Sequence, residues 1–393
     1  MEEEKKYKLK DFIQFNPTEK LAKGELRRKI AMEQLSPFTR YVDSINFEKY
    51  NGGAKFRNGD TIMARITPCL ENGKTAYVSS LNENEVAFGS TEYIVLRNIN
   101  HISNSNYIYY LATSPMIREL AIKSMVGSSG RQRVQQSVLE NFEMELPALH
   151  KQQQIAAILS SLDDKIELNR RINDNLEQQA QAYFQELFID NVAPELVLGT
   201  ISDLGTVVGG STPSKAKPEY YTTKGIAWIT PKDLSNNKVK FISHGEHDIT
   251  EFGLKNSSAS IMPKGTVLFS SRAPIGYIAI SSGEVTTNQG FKSVVPKSEI
   301  GTAFVYYSLK HNLPIIEGMA SGSIFKEISG NTMKNVPVFI PDTETLAQFN
   351  HFCDFIFSQQ QILEEQNQSL ANLRDSLLPK LMSGELDVSE LNI

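Results

Sequence analysis

Apolar residues recur at three- and four-residue steps in two long stretches of the chain. In the first they are Ile155, Ile158, Leu159, Leu162, Ile166, Ile172, Leu176, Tyr183 and Leu187. In the second they are Leu346, Phe349, Phe352, Ile356, Leu363, Leu370, Leu373 and Leu377. This spacing predicts two amphipathic helices, and the seven-residue step from Leu363 to Leu370 to Leu377 suits a coiled-coil seam. Pro147 and Pro341 precede them, and Pro379 is expected to end the second, because proline cannot continue a helix interior. Each helix is about 40 residues, on the order of 60 Å long. Elsewhere the pattern changes to short β-branched and aromatic runs, "DTIMARI", "EYIVLR", "GTVLFSS" and "GYIAIS", bounded by Gly, Asn and Pro. These predict strands. The chain therefore divides into a globular segment 1–147, a helix in 148–196, a second globular segment 197–341, and a helix with a tail in 342–393. The expected fold class is α/β (α+β).

The two halves follow one plan, and a long-period repeat changes how every motif is read. "LENFEMELP" (139–147) matches "MKNVPVFIP" (333–341), with Asn141 on Asn335 and Pro147 on Pro341. Upstream, "GSSGRQRV" (127–134) parallels "ASGSIFKEI" (320–328), and "IYYLATS" parallels "VYYSLKH". Earlier still, "FRNGDTIMAR" (56–65) parallels "MPKGTVLFSSR" (262–272). An isolated helix of this length would leave its apolar stripe in water. The simplest partner is the equivalent helix of the other repeat, antiparallel if the globular segments are to sit at opposite ends. Asn169, Asn173 and Gln366 fall on or beside the stripe, where they either fix register as buried polar groups or face solvent at its edge. Gln152–Gln154 and the Asp163/Asp164 pair read as the polar outer face.

Net charge is −5, which looks unsuited to nucleic acid, but its distribution follows the repeat. The four segments carry +2, −4, +4 and −7 in order. Any DNA would lie on the two globular segments. Two distant cysteines, Cys69 and Cys353, argue against a disulfide framework and fit a reducing cytoplasm. No apolar run is long enough for a membrane span.

Catalytic patterns are incomplete. "ENGKT" (71–75) ends like a phosphate-binding loop, but Pro68 occupies the position of its first glycine. "HGEH" (244–247) lacks the His-Glu-x-x-His spacing of a helical zinc site. "FNPTE" (15–19) has one proline and no following aromatic, unlike an amino-methyltransferase motif. A chain of 393 residues without a catalytic constellation is better suited to positioning other things.

Several stretches resemble one family. "LPALHKQQQIAAILSSLDDKIELNRRINDNLEQQAQAYFQELF" (146–188) resembles the central helix of the specificity subunit of type I restriction-modification enzymes, and "LRDSLLPKLMSGELDV" (373–388) resembles its C-terminus. "GGSTPSKAKPEYY" with "IAWITPKDL", and "LFSSRAPIGYIAI" with "TNQGFK", resemble its second target-recognition domain. "NGDTIMARITPCLENGKTAYV" with "FGSTEYIVLR" resembles a version of its first. The first domain lacks the "GGSTPS" opening, so its first fifty residues are expected to be built differently. The resemblance implies a non-catalytic DNA-recognition subunit, with each domain reading one half of a bipartite, asymmetric site in double-stranded DNA. It further implies that the helices form a spacer docking two modification subunits, which use S-adenosylmethionine to methylate adenine at N6. Restriction (translocase) subunits using ATP and Mg²⁺ join them, and this subunit needs no cofactor. The alternative is a helix-paired scaffold that binds proteins and reads no DNA. A self-sufficient modification enzyme is disfavoured by the missing methyltransferase motif.

Base reading needs donors and acceptors presented to a groove, with Arg or Lys favoured for guanine and Asn or Gln for adenine. In the first domain the candidates are Arg65, Lys74, Ser128, Ser129, Arg131, Gln132 and Arg133. In the second they are Ser271, Arg272, Asn288, Gln289, Ser321, Ser323 and Lys326. The competing reading is that Ser-Gly loops turn the chain and Asn288/Gln289 cap a turn. Trp228, Tyr220 and Tyr221 read as packing residues.

Overall fold

The computed structural model describes residues 5–42, 44–191, 197–236, 239–272, 274–322 and 326–388. The chain separates into two compact units. One holds the chain up to Leu168 together with the segment from Asn367, and the other holds Asn169 to Gln366.

In the first unit Lys5–Lys8 pairs antiparallel with Glu143–Leu146. A four-stranded sheet runs in the order Ile13–Phe15, Tyr93–Asn98, Thr61–Ala64, Thr75–Tyr77. A second sheet runs Asn46–Lys49, Leu26–Ile30, Ala87–Gly89, Lys55–Phe56 and includes one parallel pairing, Lys29 opposite Phe88. The Thr61–Ala64 strand is buried at every position, as a strand covered on both faces must be. Helix Ser105–Thr113 packs on this sheet with Tyr107, Ile108, Tyr109, Tyr110 and Leu111 inside. The side chain of Asn104 caps it by accepting from the Tyr107 N–H.

The second unit repeats the plan. Val197–Thr200 pairs with Pro337–Ile340, and the main sheet runs Gly205–Gly209, Lys292–Pro296, Val267–Ser271, Ile275–Ser281, Phe241–Ile242. The smaller sheet keeps the parallel pairing, here Trp228 opposite Thr286. The units differ in both sheets: the main sheet has four strands in the first unit and five in the second, where Phe241–Ile242 is the addition. The first unit adds Lys55–Phe56 beside Ala87–Gly89, whereas the second adds Tyr221–Thr222 beside His247–Ile249. The segment opening "GGSTPS" wraps the one tryptophan: Trp228 Nε1 donates to the Ser211 carbonyl and Tyr221 hydroxyl to that of Pro213. A Cβ on Gly210 would lie 1.9 Å from the Asn288 carbonyl oxygen, so only glycine fits there. Trp228 and Tyr220 are buried, which makes them packing residues.

The first long helix spans Leu149–Gln185 and continues as a π-helical turn, Glu186–Asp190. The second spans Thr343–Ser383. Pro379 does not end it. Leu378, Leu381 and Met382 are buried in the first unit's core, and that burial holds the last turn together despite the lost hydrogen bond. Within the first unit, Asp163 pairs with Arg374 and Lys151 with Asp387. Within the second, Asn169 Nδ2 donates to Gln366 Oε1, Gln360 Nε2 to the Asn173 carbonyl, and Tyr183 packs on Phe349 and Phe352. Numbers rise on one helix as they fall on the other, so the segments are antiparallel in both units. Asn169 is fully buried, as the register reading expects, Asn173 is half-buried, and Gln366 is exposed, as the solvent reading expects.

Each core takes side chains from both helices. Ile155, Ala156 and Leu159 join Leu378, Leu381 and Met382 in the first unit. Leu346, Phe349, Cys353 and Ile356 join Ala180, Phe184 and Phe188 in the second. Two residues assigned to the polar outer face are inside. Gln152 is 1% exposed, donating to the Ile102 and Pro147 carbonyls and accepting from the Asn104 N–H. Asp163 is 3% exposed and bonded to Arg374 and Tyr110. A polar residue whose every donor and acceptor finds a protein partner is stable inside, and periodicity alone does not show those partners. Gln153, Gln154 and Asp164 are exposed as expected.

Candidate nucleic-acid interface

The repeat gives each unit one polar edge built on the same backbone frame. In the first unit Arg133 bridges both Val126 and Ile66, and the Val134 N–H donates to the Arg65 carbonyl. In the second Glu327 bridges both Ser321 and Arg272, and the Ile328 N–H donates to the Ser271 carbonyl. Arg65 therefore corresponds to Ser271, Ile66 to Arg272 and Arg133 to Glu327. The match of Arg65 with Arg272 implied by the aligned segments is displaced by one residue. A bulge between Phe269 and Ser271 lies at this strand end and re-aims the side chains beyond it.

The loop between Val126 and Arg133 is the most open candidate. Ser128, Ser129 and Arg131 are exposed. The Arg131 N–H donates to the Ser128 carbonyl, closing a tight turn in which Gly127 and Gly130 take positive φ. Among the described residues the Arg131 side chain makes no ion pair. Gln132 is half-buried, and its backbone exchanges hydrogen bonds with Thr67, so its frame is fixed. Arg133 is exposed but held: its Nε and Nη2 reach both Glu92 oxygens at 2.6–3.0 Å. The Arg133 guanidinium in turn holds the Glu92 carboxyl below its usual range.

Two first-unit candidates are committed elsewhere. Arg65 is half-buried, with Nη2 3.5 Å from the Val134 carbonyl. Lys74 donates through Nζ to the Met32 carbonyl at 2.8 Å. Arg65 leans on the edge itself, whereas Lys74 is tied to the turn at Met32–Gln34.

In the second unit Ser271 is fully buried, and its hydroxyl donates to the Gly290 carbonyl. It supports the edge from inside. Arg272 is half-exposed and 3.5 Å from Glu327. Asn288 is half-buried, and its Oδ1 accepts from the Gly290 N–H, a turn-capping role. Gln289 is exposed and accepts from the Thr212 hydroxyl. Ser321 and Lys326 are exposed. Ser323 lies outside the described residues.

Sequence reasoning missed the carboxylates and one lysine. Glu92 and Glu327 hold the two edges, and Lys292 sits among Ser271, Gln289 and Glu327 at 3.4–3.7 Å. Burial pushes the Lys292 ammonium below its usual range. Glu92 and Lys292 lie inside the strand-like motifs "STEYIVLR" and "TNQGFK", and that adjacency was the available signal. What these edges offer chemically is a set of donors of the kind that meets phosphates and base edges: Arg131 on the open loop and Arg133 beside it in one unit, and Arg272, Gln289, Lys292 and Lys326 in the other, with Arg133, Arg272 and Lys292 paired to Glu92 or Glu327. Among the described residues no cluster of three or more His, Cys, Asp or Glu could hold a metal, and no helix is long and apolar enough to cross a membrane.

Comparison with known proteins agrees with this two-fold construction. The model of the type I restriction modification DNA specificity domain matches twice, over residues 1–178 and 195–373. The type I restriction enzyme MjaIX specificity subunit of Methanocaldococcus jannaschii is 39% identical over 191 residues, an alignment covering 46% of this chain and 44% of that relative, so it spans less than half of the relative's length. The HindI specificity subunit of Haemophilus influenzae is 24% identical over 419 residues, covering 87% of this chain and 90% of that relative. The crystal structure of the type I restriction-modification S subunit from M. genitalium shares the fold, with a TM-score of 0.58, 16% identity and 96% of each chain covered. Two matching copies of the domain span most of the residues, and the chain therefore belongs to the type I restriction-modification DNA specificity family.

Proposed function

We propose that each unit reads one half of a bipartite, asymmetric site in double-stranded DNA, and that the helix pair sets the distance between the halves. The observation that carries this is that neither core is complete without the helix of the other repeat. A flexible joint would leave the two readers independent. A helix pair serving both readers would tie their spacing and rotational phase together, and phase matters because one turn of B-DNA is about 34 Å. Symmetric dimers suit palindromes, whereas a repeat within one chain lets the two edges diverge. The edges have diverged, since Arg133 and Glu327 occupy one position. The helix faces dock two modification subunits carrying S-adenosylmethionine, which methylate adenine. Restriction subunits using ATP and Mg²⁺ complete the cleaving assembly. Weak net charge is compatible with this, because partners supply much of the phosphate grip.

The test is to co-express the chain with its methyltransferase partner and map methylated motifs by sequencing. A bipartite motif is expected. Adding about one helical turn at matching places in both helices should lengthen its spacer. A wild-type complex that neither binds nor methylates DNA supports the scaffold reading, and an unchanged spacer in the lengthened variant removes the ruler.

A further inference from the structure

Each unit buries one cation where its globular part meets the helices, and the two cations occupy the same place in the repeat. Gly59 and Gly265 donate to the carbonyls of Val78 and Ser281, which sets Thr61 opposite Tyr77 and Val267 opposite Ile280. The Tyr77 N–H donates to the Arg40 carbonyl, and the Ile280 N–H donates to that of Lys240. Arg40 and Lys240 are thus structural equivalents, although no sequence landmark aligns them.

Their surroundings match in kind and differ in residue. The Arg40 guanidinium lies 4.8 Å from the Tyr77 ring and under 6 Å from Tyr109 and Tyr110. Its Nη1 donates to Asp164 Oδ1 at 3.1 Å. The neighbouring Asp163 accepts from the Tyr110 hydroxyl and from Arg374 Nη1, each at 2.6 Å. Lys240 Nζ lies 3.9 Å from the Phe357 ring centroid and 4.7 Å from that of Tyr306. It donates to Glu177 Oε2 at 2.6 Å, Gln360 Oε1 at 2.8 Å and the Tyr307 hydroxyl at 3.2 Å. Glu364, from the second helix, accepts from the backbone N–H groups of Lys240 and Phe241 at 2.9 and 3.0 Å. In both units the tyrosine pair of the "YY" landmark forms one wall and long-helix side chains form the other.

We propose that Arg40 and Lys240 are equivalent positioning residues, each locking the globular part of its unit in one orientation on that unit's own helix segments and so fixing the rotational phase at which that half-site is read. This rests on the bipartite reading above. Apolar packing alone does not select one orientation sharply, because hydrophobic contact is non-directional. A buried cation must aim its N–H donors at fixed acceptors, and the best-supported role of buried ionic groups is specificity and register rather than net stability. One base pair of B-DNA corresponds to about 34° of rotation, so a modest swivel of one unit moves its loops to the next base pair.

The experiment uses the full chain co-expressed with its methyltransferase. The purified complex is given DNA in which the two half-sites of the wild-type motif are one base pair closer or further apart, and methylation is read by sequencing. Lys240→Met and Arg40→Met are each expected to narrow the preference for the native spacer by about tenfold, a change of about 1.4 kcal/mol. Half-site sequences should stay the same, and Lys240→Arg should restore the preference, as arginine serves in the first unit. Equal loss of methylation at every spacer would mean a merely structural role and would overturn the inference. Should Lys240→Met unfold the second unit by Trp228 emission, Glu364→Ala releases the same strand while keeping the cation, and the same narrowing is expected. A retained spacer preference in Glu364→Ala then overturns the inference. A wild-type complex that methylates no bipartite motif refutes the underlying reading, whereas strict spacing in all variants on a bipartite motif refutes only the lock.

Discussion

Glu177→Gln should destabilise the second unit by about 3 kcal/mol at neutral pH. Glu177 sits between Lys240 and Lys310, both 2.6 Å away, and accepts from the Tyr307 hydroxyl. Burial alone would raise its pKa, but the two ammonium groups more than offset that and bring it from the ordinary 4.5 to about 2. At about 1.4 kcal/mol per pH unit, the difference links about 3 kcal/mol of stability to the ionised carboxylate. The figure belongs to the carboxylate and not to the pair, because burial holds the Lys240 ammonium down at about 8 and offsets much of the pair's net gain. A depressed carboxylate contributes fully above its unfolded pKa and loses that contribution as pH falls through the folded one. Its window is therefore pH 4.5 down to about 2. The groups facing it are Lys240, Lys310 and Tyr307, with Tyr306 and Glu364 beside Lys240. The chain's one tryptophan, Trp228, lies in the second unit, so urea unfolding followed by its emission reports this unit alone. Wild type and variant should differ by about 3 kcal/mol at pH 7 and converge between pH 4.5 and 2. A gap below about 1 kcal/mol at pH 7, the range of exposed ion pairs, or one that persists at pH 2, refutes the assignment.

Two further outcomes follow from charged side chains of the first unit. Arg374→Met leaves the buried Asp163 carboxylate with the Tyr110 hydroxyl and the more distant charge of Arg40 and should cost about 3 kcal/mol in urea unfolding. Adding Asp163→Asn should recover part of that, and no recovery would mean the loss lies in packing. Arg131→Ala should weaken DNA binding by the assembled complex and lower its salt slope by about one, whereas Glu92→Gln should act indirectly by freeing Arg133. Unchanged affinity and slope in Arg131→Ala would remove that loop from the interface.

The long-range plan was legible because it is written in period and repetition. Leu346, Phe349 and Ile356 recur at helical steps and are buried where the period places them. Asn141 and Asn335 align and each caps its short helix, donating through Nδ2 to the Ser137 and Asn331 carbonyls. What failed to show was pairing between distant polar groups. Gln152 and Asp163 look like surface residues because their partners, Ile102 and Arg374, are 50 and 211 positions away. Ser271 looks like an exposed donor until the Gly290 carbonyl is found behind it. Pro379 looks like a terminator because a local rule does not register the core holding Leu381 and Met382. The lock at Arg40 and Lys240 stayed hidden for the same reason, and because one cation replaces another in an unaligned stretch.

The duplication divides the chain into positions that hold the frame and positions free to change, and the two classes can be told apart bond by bond. The frame is mostly backbone. Val134 N–H to Arg65 carbonyl recurs as Ile328 N–H to Ser271 carbonyl, and Leu9 N–H to Phe142 carbonyl recurs as Ile201 N–H to Val336 carbonyl. These bonds constrain no side chain, so selection on the loops can proceed without disturbing the sheet. At the matched edge the side chains differ in size and even in sign, Arg65 against Ser271, Ile66 against Arg272, Arg133 against Glu327. Each replacement keeps a compensating partner: Arg133 has Glu92, and Glu327 has Arg272 and Lys292. A like-charge pair there would repel and open the loop stem. The partner does not come from the same place: the Arg65 N–H donates to the Glu92 carbonyl and the Ser271 N–H to that of Gly290, so Glu92 corresponds to Gly290, and Glu327 draws its partners from Arg272 and Lys292 instead. Exchanging Arg133 and Glu92 together should disturb the fold less than either change alone.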